Sequence, residues 1–348
     1  MNARRGIGRF RWPALALIAV ALPTAAWSWA GLQHVQIGRA ASRNMPEEMA
    51  AFRAFSRPMA FPSIFPDLWR LSDPTEAPRH YFEPDRLPAD LDIFTLSPDR
   101  EEAFARQITE KFEDVGIAPW TLMDLMEEMT EAMRTQNWSW AARCGAAMSH
   151  YLADLHMPLH CTRNYNGQET GQHGVHSRIE SDMTRAFFRP EDMQPAPAVY
   201  LENPFHAVLG WAMESFAVVP ALLQADRVAT RAAGGRTDDE TYYLKLWELT
   251  GEIITRRIES AASNLSSMWY TAWIHAGRPE IPEPLEELPS ASVFSGVGIE
   301  PLEADLHHVR RQKEKFDLIV WIVMGLFTLV VIGSSLYRSV QARQNDRP

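Results

Sequence analysis

The chain has 348 residues, 46% of them hydrophobic and 22% charged, a balance that excludes a disordered protein and is ample for a large core. Its formal net charge of −10 at pH 7 builds in no general attraction to nucleic acid or to an anionic membrane, although local basic patches are compatible with it. Only two cysteines, Cys144 and Cys161, are present, and the stretch from 144 to 157, if helical, alone spans ~20 Å against the ~7 Å limit for bridged Cα atoms, so no disulfide is expected between them.

Residues 1–28 carry Arg4, Arg5, Arg9 and Arg11, then the apolar run "WPALALIAVAL", then small residues in "PTAAWS", the order of a secretory signal peptide; cleavage after Ala26 or after Ser28 satisfies the small-residue rule. Apolar residues then recur at three- and four-residue steps over 101–115, 120–156, 175–188, 205–227 and 238–274, with breaks at Pro158, Pro190, Pro204 and "AAGGRTDD". The expectation is a single all-α domain over 29–277. The last pattern is long and amphipathic, with Thr237 as its expected N-cap.

From Gly277 to about Leu302 the composition turns to Pro, Glu, Ser and Gly, so 278–317 reads as linker and juxtamembrane segment. Residues 318–336, "LIVWIVMGLFTLVVIGSSL", contain no charge and span ~28 Å as a helix, close to the hydrocarbon thickness of a bilayer. They are expected to form one transmembrane helix. The tail 337–348, with Arg338, Arg343 and Arg347, suits the cytoplasmic side, and the signal peptide then places the domain outside the cytoplasm. The expected location is the cell membrane, single-pass.

The chemistry concentrates in "SHYLADLHMPLHCTRNYNGQETGQHGVHSRIE", residues 149–180. His150 and Asp154 are four apart, as are His176 and Glu180, and residues at that spacing share a helix face and can grip one metal ion. His156 lies two residues beyond Asp154, about 200° around the axis, and is not expected in that cluster. Pro158 ends the helix, so His160 can turn toward a different ion, completed by His176 and Glu180. Imidazole and carboxylate donors without a paired thiolate motif suit zinc. Further ligands must come from upstream, where His34, Asp67, Arg70 and His80 are the candidates; for each a plain role as helix cap or core histidine is also open.

His150-x3-Asp154-x5-His160 followed by His176-x3-Glu180 resembles the motif of the zinc-dependent phospholipase C and single-strand-specific zinc nuclease superfamily, all-helical secreted phosphodiesterases with three zinc ions. The resemblance implies that Asp67, His80, His150 and Asp154 hold one zinc. A mature N-terminal Trp29, through its amine and carbonyl, would join His34 and Asp154 around a second, and His160, His176 and Glu180 would hold the third. It thereby selects cleavage after Ser28. Arg70 would offer its donor fork to the phosphate, and Asp67 would orient or deprotonate the attacking water.

Glu180, the short gap from His160 to His176, and "GVHSRIE" resemble the phospholipase branch, and "NYNGQETGQHG" (164–174) resembles a bacterial subgroup of it. Asp67-x2-Arg70 and the Trp29-to-His34 spacing resemble the nuclease branch. The expected function is a membrane-anchored three-zinc phosphodiesterase acting on phospholipid head groups. The alternatives are a single-strand nuclease, for which nucleic acid would be a substrate only, and a zinc-stabilised non-catalytic anchor. Tyr165, Phe82 and Trp69 are candidates for lining a cleft.

Overall fold

Amphipathic periodicity is realised as helix throughout, and no strand occurs among the described residues of the computed structural model, 31–70, 73 and 75–283. The expected signal peptide, Trp29, the transmembrane helix at 318–336 and the tail lie outside the described residues, as does most of the linker. The principal helices are α1 (Leu32–Arg43), α2 (Ala118–Arg134), α3 (Trp138–His156), α4 (175–187), α5 (Pro204–Ala217), α6 (Val219–Ala232) and α7 (Glu240–His275).

Two of the expected helices divide where neither Pro nor Gly stands at the break. The 120–156 pattern is a hairpin of α2 and α3, turned by Gln136 at φ 60° and restarted by Asn137, whose side chain accepts from Trp140 N–H. Gln136 is unbranched at Cβ, which spares it the worst crowding of that backbone, and the capped restart at Asn137 offsets the remaining cost. The 101–115 pattern is likewise two short helices, Arg100–Arg106 and Phe112–Val115. α7 runs from Glu240, and its cap is Asp239, accepting from Tyr242 N–H, rather than the expected Thr237.

α5 and α6 together form the apolar stretch Pro204–Ala232, long and apolar enough by length and composition to cross a membrane, with mean hydropathy 1.4 over an 18-residue window within it. It is mid-chain, breaks at Val218, and packs against α2, α3 and α7 within the domain. The core they share is fully buried at Trp120, Tyr151, Leu222, Ile258 and Trp269, each such side chain contributing about 1.5–3 kcal/mol by burial.

α1 lies against both α3 and α7. It comes close because of Gly38, where a Cβ would meet Ser149 Oγ at 2.9 Å. Gly38 is one turn after His34, and Ser149 adjoins His150, so this close approach brings two of the candidate ligands together. Along the far side of α7 runs a strap, 193–202, with no helix or strand of its own. It is held by its backbone: Gln194, Val199 and Leu201 N–H donate to Glu259 Oε1, Ser267 Oγ and Thr271 Oγ1 at 2.9, 3.1 and 3.0 Å. Cys144 and Cys161 are buried free thiols, as the sequence leads one to expect.

Candidate metal centre

Four segments converge on the first cluster. α1 supplies His34, the short helix Phe65–Trp69 supplies Asp67, the 3-10 turn Ala77–His80 supplies His80, and α3 supplies His150 and Asp154. His34, His80, His150 and Asp154 are buried and Asp67 is half-buried, its side chain 8% exposed. Asp154 divides its oxygens: Oδ1 lies 3.5 Å from His34 Nε2, while Oδ2 lies 2.8 Å from His80 Nδ1 and 3.4 Å from His150 Nε2. Asp67 Oδ1 completes the second side, 3.7 Å from His150 Nε2 and 3.9 Å from His80 Nδ1. The His34 and His150 rings stack with centroids 4.0 Å apart.

A second cluster sits nearer the surface. His160 Nε2 is 3.5 Å from Glu180 Oε1, and His176 Nε2 is 2.8 Å from Glu180 Oε2, one imidazole to each oxygen. In each of three groups, His34–His150–Asp154, Asp67–His80–His150 and His160–His176–Glu180, the ligand atoms lie close enough together to hold a metal ion; His150 is common to the first two, and its one inward nitrogen can serve only one ion at a time.

The tautomers test whether a cation fits. His150 Nδ1 lies 2.8 Å from Ser63 O, His160 Nδ1 2.7 Å from His80 O, and His176 Nδ1 3.1 Å from Tyr165 O. A carbonyl only accepts, so each of these nitrogens carries the proton and each Nε2 turns a lone pair into its cluster. His80 is the reverse case, with Nε2 3.4 Å from Glu76 Oε1 and Nδ1 facing His150 Nε2 at 3.1 Å. Outer hydrogen bonds of this kind orient histidines at metals. Ligand atoms around a tetrahedral ion bound at 2.0–2.1 Å stand about 3.3 Å apart, and the separations here bracket that value. Asp67 Oδ2 is also buried with no hydrogen-bond partner among the described residues. The donor set fits a metal cation.

Electrostatics agree. Burial tends to keep His80 neutral, but its contacts with Asp154 and Glu76 raise its pKa to about 9. Burial pushes Asp154 up, and His150 and His160 bring it well below the usual carboxylate range. Glu180 opposes its own burial in the same way, pulled down to about 2 by His176 and His160. His34 is held down to about 3 by burial and by His150. Asp67 is raised by burial, which outweighs the pull of His150 and His80. The acceptors thus draw in positive charge, and a proton on His80 answers that demand where a metal ion would do so more fully.

A cleft of about 560 Å³ opens over this centre, lined by His80, His160 and His176, by Arg70, and by Tyr81 and Tyr165. Glu83, Glu113 and Asp114 also line it. Arg70 Nη1 is 3.8 Å from Asp67 Oδ1 and its side chain is 41% exposed. Tyr165 is in the cleft as expected, whereas Phe82 and Trp69 are core residues at 0% and 4% exposure. His156 is away from all three groups: Nδ1 contacts Leu152 O at 2.7 Å, Nε2 accepts from Asn264 Nδ2 at 2.9 Å, and burial with the nearby Arg257 holds it well below the usual imidazole range.

Glu76 is the functional candidate that sequence reasoning missed. It is buried, takes the hydroxyl of Tyr151, and stands behind His80 as the carboxylate of a carboxylate–histidine pair. Its signal was the four-residue spacing in "EAPRH". The carbonyls of Ser63, His80 and Tyr165 have no side-chain signature at all. Compared with models of known protein families the chain matches none, and no curated protein matches it either.

Proposed function

We propose that the chain is a zinc-dependent phosphodiesterase of the phospholipase C kind, holding three zinc ions. The observation that carries this reading is Asp154, whose two oxygens face His34 on one side and His80 and His150 on the other, with the Nε2 lone pairs of His150, His160 and His176 turned inward near a cleft that Arg70 borders. Zinc is favoured because the donors are nitrogen and oxygen only. Bound there, zinc lowers the pKa of water toward neutrality and neutralises charge on a phosphoryl group.

The chain's own residues would do the rest. Arg70 offers a planar fork of donors to phosphate oxygens from the cleft wall. Asp67, with one oxygen in the cluster and Oδ2 without a partner, is placed to accept a proton from attacking water. Glu76 holds His80 in one tautomer, so that Nδ1 stays aimed at Asp154.

Charge in the cleft favours a zwitterionic head group over a strand. Arg86 is ion-paired to Glu83, which leaves Glu113 and Asp114 to meet whatever lies beyond the phosphate. A nucleic acid would bring further phosphates against them, whereas an ammonium group would be attracted and would find the Tyr81 and Tyr165 rings. The exposed ring of Tyr165 also offers a stacking face, which, with the Asp67-x2-Arg70 and Trp29-to-His34 spacings, favours a single-strand nuclease. Secretion by residues 1–28 and anchoring by 318–336 complete the proposal, keeping the centre near its lipid.

Metal analysis and hydrolysis of phosphatidylcholine and phosphatidylethanolamine vesicles, single-stranded DNA and RNA, and an aryl phosphodiester test it. We expect three zinc per chain, activity abolished by chelation and restored by zinc, and vesicles preferred to strands. A zinc-loaded protein that cleaves no phosphodiester defeats the proposal, and strand cleavage without lipid turnover moves it to the nuclease.

A further inference from the structure

His176 and Glu180 meet at 2.8 Å, and Arg178, midway between them in α4, turns away from both. It leads into a buried network. Arg178 Nε donates to Tyr242 Oη and Nη2 to Asp226 Oδ1, both at 2.8 Å, while Nη1 donates to His173 O at 2.7 Å. Tyr242 donates its hydroxyl to the same Asp226 oxygen. Gln172 Nε2 donates at 2.7 Å to Asp226 Oδ2, and Gln172 Oε1 accepts from Arg227 Nε at 3.0 Å. Asp226, only 2% exposed, thus ties α6 to α7, to α4 and to the 164–174 loop.

We propose that Asp226 is a positioning residue for the His160–His176–Glu180 metal group, acting through Arg178 and Gln172; this rests on the metal reading above. Three features of the local chain call for such a clamp. The turn that carries Glu180 is π-helical over Arg178–Met183, so its ladder does not fix the angle between His176 and Glu180 as an α-helix would. His176 also depends on the carbonyl of Tyr165, in the loop that Gln172 pins to α6. And Gly174, at φ 83° in the left-handed region that favours glycine, lies so close to Arg178 that a Cβ would stand 2.9 Å from Nη1 and displace the guanidinium from its bonds. The network touches neither the cleft nor the ligands' metal-facing atoms. What it sets is where the ligand-bearing turn and the loop stand relative to α6 and α7.

The test uses the full-length chain, wild type and with Asp226→Asn or Tyr242→Phe, loaded with zinc and separately with cobalt(II), then titrated with a chelator. Asp226→Asn is expected to weaken one metal equivalent per chain by tenfold to a hundredfold, with the others unchanged, and to alter one component of the cobalt absorption. Tyr242→Phe, which keeps the packing, is expected to weaken the same equivalent by less and decides the matter if Asp226→Asn does not fold. Glu214→Gln, which breaks the Arg257 ion pair elsewhere, should lower the melting temperature and leave every metal affinity alone. Equal weakening of all the ions, or a lower melting temperature with unchanged affinities and cobalt spectrum, overturns the proposal. Wild-type protein that takes up no metal overturns the metal reading and this inference together; wild-type protein that is loaded and active, with Asp226→Asn indistinguishable from it, overturns this inference alone.

Discussion

The two parts of the candidate centre are held in opposite ways. His34, Asp67, His80, His150 and Asp154 come from separate stretches of chain and meet because α1, α3 and two short turns pack, so the three histidines and Asp154 are interior and only Asp67 is half-buried. His160, His176 and Glu180 come from one stretch, are set by a loop and a π-helical turn, and include the more open His176 at 13% exposure. The inner group is therefore part of the core, and damage to it is damage to the fold. The outer group is a local device, and damage to it should show in occupancy before stability.

The strongest way to break this contrast is Asp154→Ala set beside Glu180→Ala. Removing Asp154 strips the shared carboxylate from buried histidines, and loss of one partner of a buried pair costs about 3–5 kcal/mol. We expect at least two metal equivalents to disappear together with a large drop in melting temperature. Glu180→Ala should lose one equivalent and unfold at most about half as far below wild type in free energy. Metal analysis and thermal denaturation of both proteins check this; equal destabilisation would erase the distinction between inner and outer groups.

A second test uses pH on protein stripped of metal. His34, held at about 3 when folded against about 6.5 unfolded, makes the unfolded chain take up the proton first, so stability falls as pH drops below 6.5. His80, raised to about 9, contributes fully below 6.5 and loses that contribution as pH climbs toward 9, on the order of 3 kcal/mol. Stability of the stripped protein should peak near pH 6.5. With metal bound the alkaline slope should reverse, because ligands must be deprotonated to bind. Urea midpoints across pH 5–9, with and without zinc, measure it, and a metal-free protein that grows steadily more stable up to pH 9 would contradict the account of His80.

The smallest effect sharpens the edge of the inner group. His156→Ala leaves Asn264 without its ring acceptor and should cost about 1–3 kcal/mol, with metal content unchanged. Loss of zinc in that variant would place His156 inside the centre after all.

Much of this centre was legible because two ligand pairs obey helical spacing: His150 with Asp154, and His176 with Glu180. His156 was separable for the same reason, its angle about the α3 axis. Glu76 obeyed the rule too, but it sits in a 3-10 turn inside a Pro-rich stretch where no helix was expected. The α2–α3 hairpin was hidden because Gln136 adopts positive φ without a glycine, and the apolar pattern runs on across it. The breaks in α4 and at Val218 change hydrogen bonding without changing which residues are apolar. Carbonyl partners such as Ser63 O are beyond any residue code, since every residue has one.

The strap over 193–202 shows where such information goes. The two-residue step from Val199 to Leu201 matches the four-residue step from Ser267 to Thr271 in α7, because two extended residues reach at most about 7 Å and four helical ones rise about 6 Å. Each hydroxyl that receives a strap N–H also donates to its own helix, to Ser263 O and Ser267 O. None of the three bonds from the strap's backbone uses a strap side chain. The side chains add separate contacts, Tyr200 Oη meeting His275 Nε2 at 3.2 Å and Met193 and Leu201 packing on the core, while Val199 faces solvent. The register of one segment is thus written in the Ser and Thr residues of another, and a strap position such as Val199, bonded only through its backbone and exposed, can change without losing that register.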